Sequence, residues 1–242
     1  MNTPCLKHYK ELNSTNSYVL DNFDNLKMGD VVVTDVQTSG RGRFDRVWEG
    51  SSSENIYMTF VIKPENTDSF PFVNLTQYLS VILNRVLSRD FGVKSNIKWP
   101  NDLLFEGKKI SGILAEVKTS LGKMQGVALG VGINVNCDMS KFKELPNATS
   151  ISSILGNSVN KEDLLNLVVE EFFKDFEEFS KQGFVFISDE YKKMCKFNDT
   201  VKISASSNNG EFKFDALNDD GTLSVLDENN KKITIVNGDI LC

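Results

Sequence analysis

Histidine is almost missing from this 242-residue chain: His8 is the only one. That excludes a Ser-His-Asp triad in all but name and any histidine metal cluster. His8 itself reads as a structural or exposed residue. Cysteine is sparse too. Cys5, Cys137, Cys195 and Cys242 stand far apart with no CxxC pair. Such spacing supplies neither a zinc site nor a disulfide framework, and free thiols suit a reducing cytosol. No apolar run is long enough to span a bilayer, and the N-terminus M-N-T-P-C-L-K-H-Y-K lacks a signal-peptide pattern. The expectation is a cytoplasmic protein without a membrane partner. There is no G-x-G-x-x-G or G-x-x-x-x-G-K-[ST] loop, so a nucleotide would need another scaffold. Positive charge is not in excess: the net charge is −6. An acidic chain is a poor general nucleic-acid binder, because such binding rests on neutralising phosphates.

Forty per cent apolar content with seventeen phenylalanines is enough for a real core. The clearest helix is 74–91, with Leu75, Tyr78, Leu79, Ile82, Leu83, Val86 and Leu87 in one stripe. A second covers 161–182, with Leu165, Val168, Val169, Phe172, Phe176 and Phe179 in its stripe and Asn160 as cap. A short helix starts at Ser14 or Thr15. Strands are expected at 7–12, 31–36 and 55–62, and as a hairpin over 108–116 and 124–135. The stretch 137–153 is polar and reads as a mobile loop. From residue 198 the pattern changes to four short β-runs, 200–205, 211–217, 222–227 and 232–236, divided by N-N-G, D-D-G and E-N-N. The division expected is 1–196 and 197–242.

Chemistry concentrates in T-S-G-R-G-R-F-D-R-V-W, residues 38–48. Gly40 and Gly42 permit close backbone approach, and Arg41, Arg43 and Arg46 are permanently charged forks suited to phosphate or carboxylate. N-I-K-W-P-N-D-L-L follows at 96–104, where Lys98 between Ile97 and Trp99 needs an anionic partner if it points inward. Gly130 and Gly132, in G-V-G-I-N-V-N, suggest a ligand or backbone lying close to a strand.

Taken in order, S-T-N, Q-T-S-G-R-G-R-x-x-R-x-W, K-W-P-N-D-L, G-K-K-I-S-G-I-L-x-E and G-V-G-I-N-V-N resemble the biotin–protein ligases over essentially the whole chain. The resemblance implies an α+β fold, a mixed β-sheet with helices packed on one side, and a small C-terminal SH3-like β-barrel. It implies formation of biotinyl-5′-AMP from biotin and ATP with Mg²⁺, then transfer to a lysine of a biotin carboxyl carrier domain. It assigns catalysis to Lys98, Arg43 and Arg46. Ligand binding falls to Ser14, Thr15, Asn16, Gln37, Gly40, Arg41, Gly42, Arg43, Lys98, Gly112, Gly132 and Asn134, with Asn134 reading adenine; metal ligands stay unassigned. A sheet edge that could pair two copies leaves a homodimer open. Two departures stand out: Asp45 where the family has glycine, and Gly50-Ser51-Ser52-Ser53 in place of Ser-Pro-x-Gly. Asp45 is expected to pair with Arg43 or Arg46, or to help hold Mg²⁺. The rivals are a lipoate–protein ligase-like acyltransferase, a biotin-sensing repressor and a non-catalytic β-barrel module. With S-T-N at residue 14, a preceding helix-turn-helix domain is not expected.

Overall fold

The computed structural model describes residues 4–142, 144–205 and 208–241. Cys242 lies outside them, while Cys5, Cys137 and Cys195 are free thiols.

The large sheet has seven strands in the order β1-β2-β3-β7-β6-β5-β4. These are β1 (Cys5–Leu12), β2 (Asp30–Gln37), β3 (Ile56–Ile62), β4 (Asn96–Lys98), β5 (Asp102–Phe105), β6 (Lys108–Ser120) and β7 (Lys123–Ile133). Only β1 and β2 run parallel; β2 and β3 pair antiparallel across the arginine segment. The β6–β7 hairpin turns through Leu121 and Gly122, both at positive φ, as a tight two-residue turn demands.

Every residue of β3 is buried, because both faces of the sheet are covered. Successive side chains alternate between the faces. Val31, Val33, Phe60 and Ile62 join the main core with helices α2 (Leu75–Phe91), α4 (Lys161–Gln182) and α5 (Phe184–Met194). Val32, Val61 and Ala128 face the other way, onto Val19, Phe23 and Leu26 of α1 (Thr15–Asp21) and the turn after it. The expectation of helices on one side therefore needs correction. The long helices share a face, but the short α1 closes the opposite one.

Both long helices match the sequence pattern. Gly92, left-handed at φ 69°, ends α2, and the Asn160 side chain accepts from Glu162 and Asp163 at the start of α4. Helix α5 is not visible in the sequence. It opens F-V-F-I-S without a side-chain cap, a run with β propensity, and tertiary burial of Phe184, Ile187 and Tyr191 overrides that preference. The 137–153 segment is not free either. Within it lies the start of α3 (Ile151–Leu155), capped by Ser150. Lys109 N–H donates to Asn147 O (2.7 Å) and Ile151 N–H to Asn134 O (3.0 Å), tying the segment to the sheet.

The C-terminal unit is an antiparallel five-stranded sheet, order β11-β10-β9-β8-β12. Its strands are β8 (Thr200–Ser204), β9 (Gly210–Leu217), β10 (Leu223–Leu226), β11 (Lys232–Ile235) and β12 (Asp239–Leu241). The fifth, β12, is too short to show as a pattern in sequence. In this order β11 and β12 are free edges, so the sheet is open rather than a closed barrel. It docks on the larger unit through the turn before β10. Gly221 O accepts from Trp99 Nε1 (3.0 Å) and Gln77 Nε2 (2.8 Å).

Candidate active site

A cavity of about 250 Å³ opens over the middle of the large sheet. One end is built by the start of α1 and the end of β2. The Thr15 N–H and hydroxyl both donate to Gln37 Oε1, at 2.8 and 3.1 Å. The Thr59 hydroxyl donates to Asn16 Oδ1 (2.7 Å), and Asn16 Nδ2 donates to Glu116 Oε2 (2.8 Å). These buried groups hold one another in fixed orientations, as buried polar groups must. Gly130 makes room for them: a Cβ there would lie 2.1 Å from Asn16 Oδ1. After this accounting some donors remain. The Gln37 Nε2 protons and the Ser14 hydroxyl proton have no partner among the described residues, and Trp48 Nε1–H is buried without an acceptor.

Trp48 forms one wall, its indole lying on two strands at glycines. A Cβ at Gly132 would meet the ring at 2.3 Å, and one at Gly112 at 2.8 Å. Those glycines therefore make room for the tryptophan side chain, where a ligand or another backbone was the expected neighbour of Gly132. Gly40 is a packing glycine too; its missing Cβ would strike Trp48 O at 2.4 Å, and it does not line the cavity.

The other end is cationic, and each cation is already partnered. The arginine segment folds back on itself through Gly42 N–H to Arg46 O (2.7 Å) and Trp48 N–H to Gly40 O (3.0 Å). Its tip, Phe44 and Asp45, has φ of 54° and 58°, where glycine would be easier. Arg41 pairs with Glu116 at 2.7 Å. Arg43 reaches Asn101 Oδ1 (3.0 Å), Gly238 O (3.0 Å), Asp239 Oδ1 (2.8 Å) and Asn237 Oδ1. Burial lowers the Arg43 pKa, and the nearby Asp239 charge opposes that shift. Arg46 reaches the other Asp239 oxygen at 2.5 Å. The partner of both arginines is thus Asp239 of β12; Asp45 makes no ion pair among the described residues.

Of the expected residues, Ser14, Thr15, Asn16, Gln37, Arg41, Gly42, Arg43, Arg46, Gly112, Gly132 and Asn134 share this cavity; Lys98 and Gly40 do not. The lysine on the wall is Lys109. A β-bulge puts it there. Leu103 pairs with Ser111 but Leu104 with Lys109, so Ile110 is extra, and the alternation that would aim Lys109 elsewhere is broken. Asp102 lies between the two lysines. Its Oδ1 is 2.8 Å from Lys109 Nζ and its Oδ2 3.3 Å from Lys98 Nζ. Asn134 spends its Nδ2 on Lys109 O (3.3 Å) and Thr149 O (3.1 Å). Asp102, Lys109, Trp48 and Asp239 were not legible as site residues. The first three stood inside the quoted motifs without being singled out, whereas Asp239 carried no signal.

The family model described as biotin/lipoate A/B protein ligase matches residues 9–134, just over half of the chain. The chain belongs to that family. It is 32% identical over 164 residues to the bifunctional ligase/repressor BirA of Bacillus subtilis, covering 66% of this chain and 50% of that protein. It is 27% identical over 216 residues to the biotin–[acetyl-CoA-carboxylase] ligase of Paracoccus denitrificans, covering 87% and 89%. The chain spans about half the length of the BirA relatives it matches. Its fold is that of the biotin protein ligase from Aquifex aeolicus in complex with biotin and ATP, at a TM-score of 0.84 and 24% identity, with 98% and 97% of the chains covered. The cavity lies mostly within the family-matched segment, but Asp239 comes from outside it. No helix among the described residues is long and apolar enough to cross a membrane. No cluster of three or more acidic, cysteine or histidine side chains that could hold a metal occurs among them.

Proposed function

We propose that the chain joins biotin to ATP as biotinyl-5′-AMP and passes the biotinyl group to a lysine of a biotin carboxyl carrier domain. The observation that carries this reading is the unspent donors at the α1 end of the cavity. The family covers biotin and lipoate ligases alike. A ureido carbonyl accepts hydrogen bonds; a dithiolane ring offers none of comparable strength. Gln37 Nε2 and Ser14 Oγ–H suit the first ligand. Covering them with the second would cost about 1–3 kcal/mol for each buried donor left unpaired.

The cationic end suits the other substrate. Bringing a carboxylate to a phosphate at 4 Å costs about 1 kcal/mol in water and roughly 4 at an effective dielectric of 20. Lys109 on the cavity wall, with Arg43 and Arg46, would offset that repulsion where charge develops. Asn134 has only its Oδ1 left to offer, which suits the amino group of adenine. No side-chain nucleophile is needed, since the carboxylate attacks; positioning and electrostatics do the work. Mg²⁺ keeps water and phosphate ligands and takes one or two carboxylates. Asp102, a buried carboxylate on the cavity wall that meets the Lys109 and Lys98 ammonium groups, fits that limited role; the ion would supply neutralisation of phosphate charge. We read 1–196 as the catalytic unit and 197–242 as an SH3-like unit whose β12 completes the arginine site. The free thiols and acidic charge favour a cytoplasmic location and no nucleic-acid partner, and the exposed edge strand β1 leaves a homodimer open.

The test is mass spectrometry of an apo carrier domain incubated with the chain, Mg-ATP and either biotin or lipoate. Addition of biotinyl at the carrier lysine is expected; lipoylation alone would overturn the reading.

A further inference from the structure

A separate cavity of about 280 Å³ lies between β4, the edge of the large sheet, and strands β8 and β12 of the C-terminal unit. Its lining pairs apolar side chains, Ile97, Leu104 and Phe197 among them, with the polar Asn96, Asn198 and Thr200. Its charged lining is entirely cationic: Lys98, Lys196 and Lys202, with no aspartate or glutamate. This is notable in a chain of net charge −6. Lys196 and Lys202 are exposed and make no ion pair among the described residues. Lysine stems often cover apolar surface while their heads stay in water. Here three lysines line one concavity, and walls that carry one sign of charge focus the field inside.

The geometry points to a second ligand site in this cavity, for a small organic anion that carries an apolar body and a carboxylate, phosphate or sulfonate head. The volume is at the low end for small-molecule sites, which limits the ligand to a body of one or two rings. The site is wired to the first cavity. Lys98 faces the anion site, and its ammonium is 3.3 Å from Asp102 Oδ2; Asp102 Oδ1 is 2.8 Å from Lys109, on the wall of the first cavity. An anion that draws Lys98 toward itself leaves Asp102 to Lys109 alone. The Lys98 ammonium, expected from sequence to touch substrate, thereby becomes the link between two sites. Binding here does not depend on the chain being a ligase.

The test is titration of the ¹⁵N-labelled full chain with naphthalene-1-sulfonate, and with inorganic phosphate in parallel, followed by amide chemical shifts. Saturable shifts are expected at Asn96 and over 197–202, together with shifts of Asp102 and Lys109. The Lys196→Glu/Lys202→Glu variant, changed only at exposed positions, should bind at least tenfold more weakly. The Lys98→Met variant should still bind saturably, several-fold more weakly than the parent, and lose the shifts at Asp102 and Lys109. Phosphate should bind at least tenfold more weakly than the sulfonate. Sulfonate shifts confined to residues around Gln37 and Gly132, or unchanged affinity in the double variant, would overturn the site. Phosphate binding as tight as the sulfonate would overturn the apolar part of the ligand class. Static Asp102 and Lys109 signals at saturation in the parent would overturn the link.

Discussion

The two ends of the active cavity are built on opposite plans. At the α1 end Thr15, Asn16, Gln37 and Thr59 are neutral and bond to one another. At the arginine end Arg41, Arg43, Arg46 and Lys109 are charged, and each leans on a carboxylate: Glu116, Asp239 or Asp102. The neutral end is finished before ligand arrives, so selectivity there rests on a few donors left over. The charged end must exchange partners. A cluster of bare cations would repel itself and destabilise the fold, and the internal carboxylates offset that repulsion; on the proposed function, phosphate would have to replace them. On the proposed function, specificity would rest on the neutral end and ligand-driven exchange of partners on the charged one.

The largest expected effect breaks the charged end. Lys109→Ala should lower the rate of adenylate formation by ~10²–10³, the cost typical of losing one preorganised charge-stabilising donor, while biotin affinity changes little. Lys98→Ala, assayed the same way by pyrophosphate exchange, should cost less than about tenfold, since Lys98 lies outside the cavity. Equal losses in the two variants would erase the distinction between them. At the neutral end, Gly130→Ala forces Asn16 to move, because its Cβ would sit 2.1 Å from Oδ1. Biotin affinity by calorimetry should fall by about tenfold or more, ATP affinity being spared. Asp239→Asn should lower stability by about 1–3 kcal/mol in chemical denaturation, through loss of charge-assisted bonds, and should lower the ATP KM a few-fold by removing a competitor for Arg43 and Arg46. A raised ATP KM would show instead that Asp239 aligns the arginines rather than occupying them. The smallest effect is that of salt. Raising ionic strength from 0.05 to 0.5 M should weaken ATP a few-fold and leave biotin unchanged, because screening acts on charge.

What could be read in sequence followed from period and local chemistry. The stripes of α2 and α4 show because 3.6-residue spacing puts Tyr78, Leu79 and Ile82 on one face whatever they meet. The arginine loop and the Ser14–Asn16 cap show because glycine, arginine and capping hydroxyls declare themselves over a few residues. Helix α5 does not, since its F-V-F-I-S start prefers a strand until Ile187 and Tyr191 are buried. Asp45 was legible as a charge but not as a loser: Asp239, 193 residues from Arg46, takes the arginines.

By itself the sequence determined the family, the arginine cluster and the neutral helix start, because each is written in adjacent residues. Only the tertiary structure decided which lysine faces the cavity and which carboxylate holds the arginines. The first hangs on one extra residue in β6, which breaks the two-residue alternation on which orientation is read. The second hangs on how a small C-terminal sheet docks, and a contact across 193 positions leaves no local trace.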